Sequence, residues 1–453
     1  MSINSAENSG PAAVLSTGDA DFDARLAQRL SWNTQTDNEL VRSVADIIAA
    51  VRAGGDAAVL EYTQKFDRRP GLSWAELEIS QQQLDAALSQ IPDAERDALQ
   101  SAAQRIEAYH RQQAEQLPTS WSYVDELGNE LGQRVTPLAR VGVYVPGGQA
   151  TYPSTVLMTV IPARVAGVED VVMTVPMPDG KVDALLLAAA AIAGVDRVLG
   201  IGGAQAIAAL AYGTESIPRV DKIVGPGGAY VAEAKRQVFG PVAIDMIAGP
   251  SEILVIADDT ANPRWVALDL FSQAEHDASA QAILLTPSEK LLSAVQKEIA
   301  ELLPTLDRSA IIEQSLSKRG ALIGCRDLAE AVAIANRIAP EHLAISVNED
   351  QQAAVVDAIR HAGAIFIGAH SAEVMGDYAA GPSHVLPTFG TARYASPLGV
   401  GDFHKSSSMI RMDAAGVARV ARIAATLARG EGLDGHARAA EARVKDFDHN
   451  VPD

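Results

Sequence analysis

The 453-residue chain contains a single cysteine, Cys325, which excludes an intrachain disulfide and suits a reducing compartment. Basic residues are also in deficit: 37 Lys and Arg face 57 Asp and Glu, a net charge of −20. Nucleic acid and anionic membranes are therefore poor partners, since phosphate would have to be bound against the overall field. The longest apolar run, ALLLAAAAIAGV at 184–195, falls short of the ~20 residues that span a bilayer. The first ten residues, MSINSAENSG, hold neither the basic nor the apolar region of a secretory signal. Together these absences predict a cytoplasmic protein. H-E-x-x-H, C-x-x-C and a serine-centred elbow are missing too, which removes the usual signs of a zinc protease, a zinc finger or a serine hydrolase.

What is present is ordinary for a soluble globular chain long enough for several domains: 48% apolar and 21% charged residues. Residues 1–20 are rich in Ser, Ala, Asn and Gly and read as loosely held. From about 21 to 116 the apolar spacing is helical, broken at Gly54-Gly55. Strand-like and helix-like stretches then alternate, from ARVGVYVPGG to GAIFIG, which implies parallel sheets with helices on their faces. The predicted fold is α/β, with two Rossmann-like parallel-sheet domains, one inserted in the other. Residues 1–35 form a helical N-terminal arm. A larger domain takes 36–143 and 251–398, a smaller nucleotide-binding domain takes 144–250, and 399–453 are a helical tail.

Several polar clusters interrupt this frame. GIGGAQA (200–206) and GPGGAY (225–230) each join a strand to a helix, where backbone N–H groups and the helix dipole can hold phosphate. Neither fits G-x-G-x-x-G, because Gln205 and Tyr230 stand at the third glycine, so structural turns remain an equal reading. QAEHD follows an apolar helix; if that helix covers 260–275, Gln273 and His276 share a face and Glu275 points elsewhere. A polar helix end on the surface would look the same. APEHLAI puts Glu341 and His342 at the start of a strand, a carboxylate and an imidazole suited to acid–base chemistry or to a structural hydrogen bond. GDYAAGPSHVLPT reads as a long functional loop carrying Asp377 and His384, and GEGLDGHARAAEAR carries Glu431 and His436 where one helix stops and another begins. Gln273, His276, Asp377 and His436 together offer two oxygens and two imidazoles, a set that suits Zn²⁺ or a similar divalent ion.

From about residue 30 onward these blocks, in this order, resemble histidinol dehydrogenase. RVGVYVPGG, IGGAQAIAAL, GPGGAYVAEAK, DMIAGPSEILVIAD, SQAEHD, APEHLAI, GDYAAGPSHVLPT and GEGLDGHARAAE carry the likeness. The resemblance implies four-electron oxidation of L-histidinol through an aldehyde to L-histidine with two NAD⁺, the last step of histidine biosynthesis. It implies one Zn²⁺ per subunit on Gln273, His276, Asp377 and His436, with His342 the base for the hydroxyl proton and Glu341 the group that activates water. It further implies substrate contacts at Ser251, His384 and Glu431 beside the metal ligands and His342. NAD contacts fall at Tyr144, Gln205 and Gly228, and a homodimer has tails that complete the partner's site. Gly228 departs from the asparagine usual there, a loss worth about 1 kcal/mol if one neutral hydrogen bond goes unmade. Relatives of this fold oxidise other amino alcohols or sulfonated diols, which gives an alternative substrate class; a catalytically silent relative is a second alternative.

Overall fold

The structure is a computed structural model that describes residues 10–31, 38–147 and 152–444. The sequences EILVIA and QAILLT contain no alternation, and both strands are buried along their whole length, as strands with helices on both faces must be. They form the centre of a six-stranded sheet in the order Ala13–Ser16, Ala321–Gly324, Gln281–Thr286, Glu252–Ala257, His342–Ser346, Ala364–Ile367, parallel throughout. A second six-stranded sheet runs Glu78–Ile79, Arg197–Leu199, Asp170–Thr174, Arg140–Tyr144, Lys222–Val224, Ala243–Ile244. Only its Glu78–Ile79 edge is antiparallel. Both sheets belong to one compact unit, residues 1–114 with 139–403.

Three expectations need correction. Residues 36–143 do not join the first sheet as a block. The Asn38–Phe66 helix buries Val44, Ile47, Val51 and Val59 against Leu199, Ile207 and Ile223 of the second sheet's layer, and Glu78–Ile79 pairs there. Amphipathic spacing shows that a helix has a buried face but not which sheet that face meets. That helix bends at Gly55, whose φ is +52°, as the double glycine suggested. The N-terminal segment is also more than a loose arm: Ala13–Ser16 is an edge strand paired with Ala321–Gly324, and the helix Phe22–Leu30 buries Phe22 and Leu26. Residues 1–9 and 32–37 lie outside the described residues.

The tail is the third correction. A second unit joins 115–138 to 404–453, and within it His404–Arg411 is an eight-residue strand rather than a helix. It pairs antiparallel with Glu130–Pro137, which pairs in turn with Trp121–Val124. The helices Gly416–Gly430 and Asp434–Glu441 pack on each other through Ala425, Ala428 and Ala437.

Candidate active site

Open α/β sheets usually present ligands at the carboxyl ends of their strands. The first sheet here gathers its polar groups at the amino ends instead. Glu252 and His342 are the first residues of adjacent central strands, with Ile253 paired to His342. The His342 Nδ1–H donates to the Glu252 carbonyl at 2.9 Å. The Glu252 N–H in turn donates to Glu341 Oε2 at 2.8 Å. The main chain of one residue, Glu252, therefore orients both members of the Glu341-His342 pair, whose side chains approach to 3.5 Å.

In the neutral ring, with Nδ1 committed as donor, Nε2 carries the lone pair. It is buried without a hydrogen-bond partner, and Asp377 Oδ1 lies 3.6 Å away, beyond hydrogen-bonding range. Burial works against a charged imidazole, but the carboxylates of Glu341 and Asp377 outweigh it and raise the His342 pKa well above its ordinary value. Asp377 shows the reverse: burial opposes ionisation, yet His342 and His384 hold it below the usual carboxylate range. His384 Nδ1–H donates to the Asp377 carbonyl at 2.9 Å, its Nε2 lies 3.3 Å from Thr155 Oγ1, and burial lowers its pKa.

Asp377 lies on a short helix, Glu373–Tyr378, and not in the open loop expected from sequence. That helix supplies Glu373, which the sequence reading missed. Its carboxyl is 1% exposed and accepts from Ser272 Oγ at 2.6 Å and from the Gln273 side-chain amide. Burial and the Asp377 charge push its pKa up to about 8. Donor atoms of His342, Glu373 and Asp377 lie within 4.8 Å of one another. The spacing Glu373-x-x-x-Asp377 was the available signal, since residues four apart share a helical face.

The helix Pro263–Ala274 begins on an Asn262 cap with proline at its first position and ends just before QAEHD is complete. Gln273 is 1% exposed, and with its amide nitrogen used by Glu373 its Oε1 is buried without a partner. A desolvated carbonyl oxygen beside two carboxyl groups fits a divalent cation. His276 follows in a turn whose N–H donates to the Gln273 carbonyl at 3.1 Å, and its side chain is exposed, as is that of Glu275. Ser251 immediately precedes Glu252, and its carbonyl accepts from the Gln281 N–H at 2.9 Å. Glu431 and His436 belong to the tail unit, where both are exposed.

The second sheet follows the usual rule. A cavity of about 1010 Å³ opens past its carboxyl ends, lined by Pro176, Gly202, Gly203 and Gln205 and by Arg42 and Asp46 of the Asn38–Phe66 helix. Gln205 is 1% exposed and its Oε1 lacks a partner, so the cavity presents an unsatisfied acceptor of the kind a dinucleotide can engage. Tyr144 is buried with its hydroxyl accepting from the Gly203 N–H at 3.1 Å, and burial raises its pKa to about 12. Gly228 caps the helix Ala229–Val238, and a Cβ there would meet nothing within 4 Å among the described residues. Asparagine would therefore fit, and its absence is not imposed by space.

Cys325 offers no rival nucleophile. It is buried in the core beneath the first sheet, and burial pushes its thiol up to about 12. Cys325→Ser should therefore retain full activity; a folded but inactive variant would bring the thiol into the chemistry.

The histidinol dehydrogenase family model matches residues 30–444. A histidinol dehydrogenase from Pseudomonas fluorescens (strain Pf0-1) is 57% identical over 438 residues, 96% of this chain and 98% of its own. Another from Chromobacterium violaceum is 57% identical over 432 residues, 95% and 98% of the two chains. The crystal structure of histidinol dehydrogenase from Elizabethkingia anophelis superposes with a TM-score of 0.87 at 34% identity, covering 96% of this chain and 99% of that one. The chain belongs to the histidinol dehydrogenase family.

Proposed function

We propose that the protein oxidises L-histidinol through the aldehyde to L-histidine with two NAD⁺, as a cytoplasmic enzyme of histidine biosynthesis. The observation that carries this reading is the Glu341-His342 pair, held by the main chain of Glu252, with Nε2 free to accept a proton. His342 takes the hydroxyl proton as the first hydride leaves. It returns that proton to the carbonyl oxygen when water adds, while Glu341 takes the proton released by the attacking water. His342 then takes a hydroxyl proton from the hydrate as the second hydride leaves, so each step balances.

Gln273, His276, Asp377 and His436 would hold Zn²⁺, and the family's metal supplies electrophilic assistance at the substrate oxygen. Glu373 fixes the Gln273 amide so that its oxygen faces the site. Ser251, His384 and Glu431 line the substrate, and NAD⁺, which accepts the hydrides, sits against Tyr144, Gln205 and Gly228. Rates compared as kcat/KM for L-histidinol, other amino alcohols and sulfonated diols test the substrate; equal or better turnover of another class would displace histidinol.

The working form in this reading is a homodimer in which each tail brings Glu431 and His436 to the partner's site. Inactive His276→Ala and His436→Ala chains, unfolded and refolded together, then produce mixed dimers with one doubly defective and one intact site. About half of randomly paired dimers are mixed, so roughly a quarter of wild-type activity should return. Recovery of none would mean that each tail serves its own subunit.

A further inference from the structure

The strands that carry the catalytic pair also line up buried polar side chains at their amino ends. Glu252 is paired with Gln281 on one side, and the Ile253–His342 pairing brings Glu341 alongside Glu252 on the other. Gln281, Glu252 and Glu341 are 2%, 1% and 7% exposed. Arg319 donates to Gln281 Oε1 at 2.9 Å and to the Ser31 carbonyl at 3.0 Å, and its charge also faces Glu252. The Glu252 carboxyl accepts from the Phe389 N–H at 2.7 Å, on the loop that follows His384. The reaction steps above use the main chain of Glu252 but leave its carboxyl, buried beside a second one, without a role. Two buried carboxylates side by side strongly disfavour double ionisation, so one of them holds a proton.

We propose that Glu252 is a positioning residue for the aldehyde-oxidising half of the reaction. Its main chain fixes Glu341 and His342, and its buried carboxyl, kept neutral, spares Glu341 a second negative charge beside it. This rests on the reading of Glu341 as the group that activates water. The charged groups facing Glu252 are Glu341 and Arg319. Burial and the Glu341 charge raise its pKa to about 8 against the opposing pull of the Phe389 and Glu341 N–H groups and of Arg319. Below that pH the side chain is neutral. Above it a second negative charge stands beside Glu341 and opposes the negative charge that develops on the hydrate oxygen. Aldehyde oxidation should therefore fall on the alkaline side, through an ionisation that belongs to Glu252.

The test compares kcat and KM for the aldehyde across neutral and alkaline pH in the zinc-loaded wild type, Glu252→Gln and Glu341→Gln. Wild-type kcat is expected to fall with a midpoint near 8. Glu252→Gln should hold a plateau there, with the same KM as wild type. Glutamine keeps an oxygen for the Phe389 N–H and resembles the protonated acid, so the variant should also keep its melting temperature at neutral pH. A fall at the same midpoint in Glu252→Gln, or an equal loss of kcat at every pH, would overturn the proposal while Glu341→Gln remained inactive on aldehyde. Severe destabilisation of Glu252→Gln at neutral pH would overturn it too, because it would mean that the native carboxyl is charged. Full aldehyde oxidation by Glu341→Gln would instead remove the reading of Glu341 beneath it.

Discussion

His342→Asn should slow alcohol oxidation by about 10²–10⁴-fold, the usual contribution of a general base, with zinc content unchanged. Asparagine can still donate to the Glu252 carbonyl that receives the His342 Nδ1–H, so local order is kept. What it cannot supply is a basic nitrogen where Nε2 stands buried, unpartnered and facing Asp377. Glu341→Gln should divide the reaction differently. The amide oxygen can still accept the Glu252 N–H, but the group no longer takes a proton from water, so alcohol oxidation survives better than aldehyde oxidation. Single-turnover measurement of each half separates the variants. Equal loss in both halves for both variants would contradict the division of labour.

His276→Ala should lose tightly bound metal and activity together while the fold persists. The side chain is exposed in a turn past the Pro263–Ala274 helix, so its removal leaves no cavity in the core. Folding is therefore indifferent to it in a way that metal binding is not. Gln273, Asp377 and His436 would be left, two oxygens and one imidazole, a set that should release zinc on dialysis. Metal analysis and circular dichroism on the same dialysed sample check the prediction. A folded variant retaining one zinc per subunit would remove His276 from the ligand set.

The sequence made some of this legible for clear physical reasons. Buried parallel strands such as EILVIA announce themselves as unbroken apolar runs, and glycine turns mark where strands pass into helices. Glu341, His342, Gln273 and Asp377 stood out because polar side chains next to apolar elements need a partner or a purpose. Glu252 was hidden by the same strand pattern, a single acid at the head of an apolar run, and its importance depends on pairing with a strand 90 residues away. Glu373 was hidden because the six-residue helix that aligns it with Asp377 is too short to show a period. The strand HKSSSMIR lacks alternation and is mostly exposed, so only its partner Glu130–Pro137 defines it.

The most direct test of the whole account is the number of NADH molecules formed per L-histidinol consumed by the zinc-loaded protein at limiting substrate. Two NADH with L-histidine as the final product is the predicted result, and Glu341→Gln should bring the count towards one. A wild-type count of one, with the aldehyde released as product, would contradict the proposal that Glu341 and His342 carry both oxidations in a single site.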